Sequence, residues 1–328
     1  MTTMLEFYQQ HEISPVRQVI PDLNAHYARR AVLYRALGLP PLAIQGKRIL
    51  EIGPGSGENA RYTLSLQPYS YVMVEPNDTA RKALEATFAG SVTIVDQKVE
   101  TYKAIQPFDV VLCEGLLGLA GRDPRGLLGS VRDTVKVGGV LVITCIDPIS
   151  NHTEVLRRAM AQPYLKLGMS LAEQVQVLTP VFTPHLATLK GMTRTVEDWI
   201  IDNLLSPASI GPTFSIPDAI EALGEDFAVL GCSPRFLLDW RWYKEADSSN
   251  QWAVDSYWRQ CHNLLDYRKI ELGCAPYQNE ELMNRCLDVR EQVALGALRT
   301  VHWETNRVEA DPGWFGRGQQ YLSFVRLA

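Results

Sequence analysis

The chain has 328 residues, 46% hydrophobic and 21% charged, with a formal net charge of −5 and a pI near 5.8. The length exceeds one average domain, so a core domain with large additions is expected. The acidic balance, with Lys and Arg scattered and no run of like charge, weighs against nucleic acid as a partner.

The six cysteines form no Cys-x-x-Cys pair and no Cys/His cluster with zinc spacing, so no metal site is expected. The N-terminus, MTTMLEFYQQHEIS, has neither the basic nor the apolar region of a secretory leader. No stretch approaches the ~18–20 apolar residues of a membrane span. A protein of the reducing cytoplasm, free of the membrane, is expected.

Residues 1–45 read as a polar, helical N-terminal lid that ends at Gly38 and the Pro40-Pro41 pair. Tyr8 and His26 on it are candidates for touching a substrate. Strands and helices then alternate through residues 46–147. The pattern predicts strands over Lys47–Ile52, Ser70–Val74, Ser91–Val95, Asp109–Cys113 and Val140–Cys145. It predicts helices over Asn59–Leu66, over Asp78–Phe88 with Asp78 or Thr79 as cap, and over Asp123–Lys136 with a stop at Gly138-Gly139. Such alternation argues a parallel sheet with helices on both faces, its ligand at the carboxyl rim of the strands.

The alternation stops after residue 147. Residues 148–225 read as a helical insertion broken by Pro163, Pro180 and Pro184. Residues 226–328 read as two strands, Asp226–Gly231 and Gln319–Leu327, separated by a second helical insertion at about 245–315. No repeat or low-complexity stretch is present.

The sharpest signal is RILEIGPGSG at residues 48–57, where the first strand should turn into a helix. Gly53, Gly55 and Gly57 allow tight backbone angles and close approach of a ligand. The position after Gly57 is Glu58, which breaks the dinucleotide pattern at its third glycine, and no Gly-Lys-Ser/Thr follows to make a phosphate-binding loop. Glu51, just before the turn, would repel a pyrophosphate but attract an ammonium group. Glu75, ending the second strand in YVMVEPN, can accept hydrogen bonds from both hydroxyls of a ribose. Asp96 and Gln97, after the third strand, can hydrogen-bond an adenine edge. The fourth strand, in FDVVLCEG, ends at Glu114 on the same rim.

As a set in order, LEIGPGSG, VEPN, VDQ, FDVVLCEG and VKVGGVLVIT resemble the class I S-adenosylmethionine-dependent methyltransferases over about residues 45–147. The resemblance implies an α/β, Rossmann-like, doubly wound seven-stranded sheet, mostly parallel, whose antiparallel final hairpin would use Phe227–Leu230 and Tyr321–Val325. It implies S-adenosylmethionine as cofactor. Glu51, Gly53, Gly55 and Gly57 would face the methionine part and Glu75 the ribose, with Pro54, Asn59, Pro76 and Asn77 also at the cofactor. Asp96 and Gln97 would face the adenine, and Asp109 would be structural.

Methyl transfer needs alignment, exclusion of water and, for a hydroxyl acceptor, a general base. Glu114 is the best-placed candidate base, with a cofactor-binding role equally open to it. Asp147 and His152 follow the fifth strand and are the other candidates, although His152 could instead cap a helix. Arg235, Trp240 and Tyr243, in SPRFLLDWRWYKE, could bind an aromatic or anionic acceptor, against the plainer reading of an edge strand packed on the inserted helices. The large additions suit a closed pocket for a small molecule, such as a sugar or natural-product intermediate, and could also build a homodimer. The competing readings are an aminopropyltransferase, for which no Asp-rich stretch follows the fourth strand, a non-catalytic nucleoside-binding subunit, and a macromolecular methyltransferase, for which the Asn-Pro-Pro-Tyr type motif is missing.

Overall fold

Runs of β-branched and aliphatic residues form β1 (Arg48–Ile52), β2 (Ser70–Val74), β3 (Thr93–Val95), β4 (Phe108–Cys113) and β5 (Val135–Cys145). With β6 (Phe227–Ser233) and β7 (Gln320–Arg326) they make one seven-stranded sheet of order β3-β2-β1-β4-β5-β7-β6. The computed structural model describes residues 3–14, 17–118, 123–189, 192–207, 213–296 and 318–328. β1 to β5 run parallel, and β7 is antiparallel to both β5 and β6. The strand order reverses between β1 and β4, which opens a crevice at their carboxyl ends.

The helices are α1 (Met4–Gln10), α2 (Leu23–Ala36), α3 (Ala60–Ser65), α4 (Asp78–Phe88), α5 (Pro124–Arg132), α6 (Pro148–Ala161), α7 (Leu171–Leu186), α8 (Val196–Ile200), α9 (Ile216–Leu223), α10 (Gln251–Gln260) and α11 (Pro276–Ala294). Alternate strand residues feed two cores. Ile49, Met73, Val110, Leu112 and Val142 pack with Tyr34, Leu37 and Leu84 from α2 and α4. Leu50, Ile52, Val111, Leu141 and Ile143 pack on the other face with Leu128 and Val131 of α5, Ile220 of α9 and Tyr257 of α10. Burial on both faces is why these strands read as continuous apolar runs.

Several elements differ from the sequence expectations. β5 begins at Val135, not Val140, and α5 ends at Arg132, because Val135 pairs with Phe108 and the ladder then bulges before Val110 meets Val140. Gly139 fits that bulge because a Cβ there would lie 2.8 Å from the Lys136 carbonyl and 2.9 Å from that of Asp109. The cap of α4 is Asn77, whose extended backbone lets its side chain accept from Ala80 N–H at 2.8 Å, rather than Asp78 or Thr79. Pro180 and Pro184 lie inside α7 without ending it, since that helix buries Leu178, Phe182 and Leu186 against Trp199 and Ile200. Residues 234–245 are not strand: β6 pairs on one side only, with β7, and the chain leaves the sheet after Ser233, although Phe236 and Leu237 still pack on the core beside Tyr257 of α10. Of the expected insertion at 245–315, residues 297–315 lie outside the described residues. Among the described residues, no helix is long and apolar enough to cross a membrane, and no group of His, Cys, Asp and Glu could hold a metal ion.

Candidate functional site

The turn after β1 carries three glycines in the left-handed region, with φ of +67° at Gly53, +58° at Gly55 and +86° at Gly57. A Cβ on Gly57 would lie 2.6 Å from side-chain atoms of Leu84 and Phe88, so this glycine also lets α4 pack directly on the turn. The turn is tied to β2 through Glu75. This buried carboxylate accepts from Gly55 N–H at 3.0 Å through one oxygen and from Asn77 N–H at 2.9 Å through the other. Each oxygen of a carboxylate has two acceptor positions.

A second carboxylate pair lies beside the turn. Glu51 is 3% exposed and accepts a hydrogen bond from the Tyr71 hydroxyl. Burial, and then the nearby charge of Glu114, push it up from 4.5 to about 7, against the opposing pull of Tyr71 and Arg30. Glu114, one residue past β4, is gripped by Arg30 of α2, with Nη2 to Oε1 at 2.6 Å and Nη1 to Oε2 at 3.0 Å. Glu114 and Arg30 thus form a buried fork, while Glu51 has no cation of its own among the described ion pairs.

These groups open on a cavity of about 670 Å³. Glu51, Gly53, Pro54, Gly55, Asn59, Glu75, Pro76, Asn77 and Glu114 line one side of it. Met4, Leu5 and Tyr8 of α1 line it as well. The remainder of the lining comes from Asn151 and Glu154 of α6, Arg194, Asp202 and Asn203 around α8, Arg290 of α11, and Gln319 and Tyr321 at the start of β7. Asp202 and Asn203 sit on a π-helical turn, Ile201–Leu205, that continues α8; such turns recur at functional sites. The Tyr8 hydroxyl donates to Asp202, and Arg194 Nη1 reaches the other Asp202 oxygen at 2.8 Å. Burial and that carboxylate push the Tyr8 hydroxyl well above its usual range.

Several expected site residues lie elsewhere. Asp147 is fully buried: it caps α6 by accepting from Ile149 N–H at 2.8 Å, and it takes the Tyr257 hydroxyl. Burial raises it to about 6, but it does not line the cavity, so its place is structural rather than catalytic. His152, on the first turns of α6, is also buried outside the cavity lining, and burial lowers it. Asp96 is exposed and pairs with Arg81 at 2.7 Å; although β3 ends at Val95 as expected, neither Asp96 nor Gln97 lines the cavity, and Val99 does. His26 lies outside the lining too, with Nε2 3.2 Å from the Glu58 carbonyl oxygen. Arg235 donates to the Arg35 carbonyl at 2.8 Å, and Trp240 and Tyr243 are 89% and 75% exposed; none of the three lines the cavity. The segment that carries them follows the edge strand; of its aromatics Phe236 packs on Tyr257 of α10, while Trp240, Trp242 and Tyr243 are exposed.

The sequence reading missed Arg30, Tyr71, Asn151, Glu154, Arg194, Asp202, Asn203, Arg290 and Gln319. No local motif marks them, and the pairing of Arg30 with Glu114 spans 84 positions.

Sheet order, glycine turn and rim carboxylates together define a Rossmann-like scaffold with its site at the carboxyl ends of the strands. A family model described as "Methyltransferase domain" matches residues 24–178. Among solved structures it is similar to the N-methyltransferase NodS from Bradyrhizobium japonicum WM9 in complex with S-adenosyl-L-homocysteine, at 14% identity and a TM-score of 0.31 over 38% of this chain and 62% of that one. It is also similar to an S-adenosylmethionine-dependent methyltransferase from Mesorhizobium loti, at 21% identity and a TM-score of 0.34 over 40% of this chain and 60% of that one. A third similar structure is the CcbJ methyltransferase from Streptomyces caelestis, at 20% identity and a TM-score of 0.32 over 40% and 52%. The chain therefore spans between half and two thirds of each of these proteins. No curated protein matches the chain.

Proposed function

We propose that this protein binds S-adenosylmethionine at the glycine turn and transfers its methyl group to a small polar acceptor, such as a sugar or a natural-product intermediate. The observation that carries this reading is the single cavity joining the carboxylate-lined turn to a polar wall contributed by the helical additions. Its volume, about 670 Å³, lies in the range of small-molecule sites.

The residues present fit the cofactor. Glu75 has acceptor positions for ribose hydroxyls, Glu51 offers a carboxylate to the methionine ammonium, and the glycine turn leaves room for close backbone approach. The bound cofactor supplies a methyl group on a positively charged sulfur, a leaving group already activated. The protein's own part is then to align the acceptor and exclude water, worth up to about 7–11 kcal/mol of the barrier. α1 contributes to this enclosure through Met4, Leu5 and Tyr8. A macromolecular acceptor fits less well, since the helical additions build the wall that faces the turn and the chain is acidic overall.

Calorimetric titration of the full chain with S-adenosylmethionine tests the reading. One site per chain is expected, abolished by Gly55→Arg. Absence of binding to the unmodified protein would remove the proposal.

A further inference from the structure

Resting on that reading, we infer that α1 is a gate on the cavity, latched shut by the Tyr8 hydroxyl on Asp202, and that release of this latch lets the cofactor in and out. The N-terminal chain joins the two walls of the cavity. On the cofactor side, Gln9 Nε2 donates to the Pro76 carbonyl and Asn77 Nδ2 donates to the Ile13 carbonyl, each at 3.5 Å. Pro76 and Asn77 directly follow Glu75 at the end of β2 and line the cavity. On the side built by the helical addition, Tyr8 reaches Asp202, and Val19 N–H donates to the Thr193 carbonyl at 2.6 Å. Met4, Leu5, Tyr8 and Gln18 line the cavity between these two sets of ties.

α1 cannot hold this place by itself. It has seven residues, whereas a helix needs about 12–15 to be even marginally stable alone in water. A capping box between Thr3 and Glu6 closes its first turn, and Tyr8 is the one residue of the helix that is buried, at 2% exposure. The two ties to the cofactor side are at the outer limit of hydrogen-bond length and contribute little. Docking therefore depends on Tyr8.

The partner of Tyr8 is fixed from behind. Asp202 stands on the π-helical turn that continues α8, and its second oxygen accepts from Arg194 Nη1 at 2.8 Å. The fully buried Ser206 caps that turn beside the same tyrosine hydroxyl. One hydrogen bond to a charged group shifts an open–closed equilibrium by about 10- to 100-fold. That is enough to keep the gate closed most of the time and little enough to let it open between turnovers. The bond from Val19 to Thr193 lies beyond α1, so the far end of the segment stays attached when the helix lifts.

A gate that opens before a ligand passes and closes again behind it slows association and dissociation by the same factor. A wall that merely packs on the ligand slows dissociation alone. The test is stopped-flow binding and release of S-adenosylmethionine by the full chain, together with hydrogen exchange of the backbone amides. Tyr8→Phe keeps the ring and removes the latch. It should raise both rates by about 10- to 100-fold, with affinity within about three-fold of wild type. The α1 amides should exchange faster by a similar factor, while those of β1 and β4 stay as in wild type. Tyr8→Ala, which also removes the buried ring, should raise both rates at least as much. Wild-type rates in both variants, a rise in dissociation alone, or unchanged exchange of α1 in Tyr8→Phe overturns the inference. Failure of the unmodified protein to bind the cofactor is a different result and overturns the underlying reading instead.

Discussion

Arg30 of α2 holds both carboxylate oxygens of Glu114, at 2.6 and 3.0 Å, and so fastens the N-terminal helix to the end of the fourth strand. Arg30 is buried and Glu114 largely shielded at the cavity edge, which makes the fork costly to break from one side. Arg30→Ala leaves a shielded carboxylate without its cation, a change worth about 3–5 kcal/mol of destabilisation. The double change Arg30→Met with Glu114→Leu should recover much of that loss, because no charge remains to be desolvated. Chemical denaturation of the three proteins makes the comparison; equal stability of Arg30→Ala and wild type would show that the fork contributes nothing. The fork also gives Glu114, a base candidate by its place in the sequence, a clear structural role in tying α2 to the strand end.

Glu75 and Gly57 separate binding from folding at the same turn. Glu75→Ala removes the acceptor for Gly55 N–H and the proposed ribose contact, and cofactor affinity should fall by roughly 1.5–3 kcal/mol. Gly57→Ala places a methyl group 2.6 Å from Leu84 and Phe88 at a φ of +86°, so it should cost about 1–3 kcal/mol of stability. Calorimetry and thermal unfolding on both variants distinguish the two effects. Unchanged affinity in Glu75→Ala would mean the ribose lies elsewhere.

The Rossmann-like half of the molecule was legible because local rules and the fold agree there. β2 (Ser70–Val74) and α4 (Asp78–Phe88) have the bounds that the apolar runs predict, and the glycine turn lies where strand meets helix. The acceptor side was not legible, because its residues come from α1, α6, the turn after α8, α11 and β7 and meet only in the folded chain. Asp147 and His152 were expected on the rim by their position after β5. The chain enters α6 at once, and capping turns Asp147 inward to Ile149 and Tyr257. Pro180 and Pro184 read as helix breakers by local rules, yet the burial of Leu178 and Phe182 keeps α7 continuous.

The exposed aromatics after β6 provide a control that the sequence reading would not have chosen. Trp240 and Tyr243 are far from buried and line no part of the proposed site. Trp240→Ala and Tyr243→Ala should leave cofactor affinity and stability within about 0.5 kcal/mol of wild type, as for ordinary surface changes. A large loss of cofactor affinity in either would restore these residues to the site and contradict the cavity as drawn.

Glu51 gives the site a pH dependence whose sign can be fixed. Its ordinary value is 4.5, and burial with the nearby Glu114 raises it to about 7 in the folded protein. The folded state therefore prefers the protonated form. The resulting stabilisation is complete below pH 4.5 and is lost as pH rises through about 7. Glu51→Gln removes this dependence, so the stability of the variant relative to wild type should rise between those limits. Cofactor binding should run the other way, because the methionine ammonium favours the ionised carboxylate. Wild-type affinity should strengthen as pH passes through about 7, with a proton released to the buffer on binding below that point. Titration calorimetry in two buffers of different ionisation enthalpy measures that proton, and Glu51→Gln should release none. A wild-type affinity that does not change across this range would show that Glu51 does not meet the ammonium group.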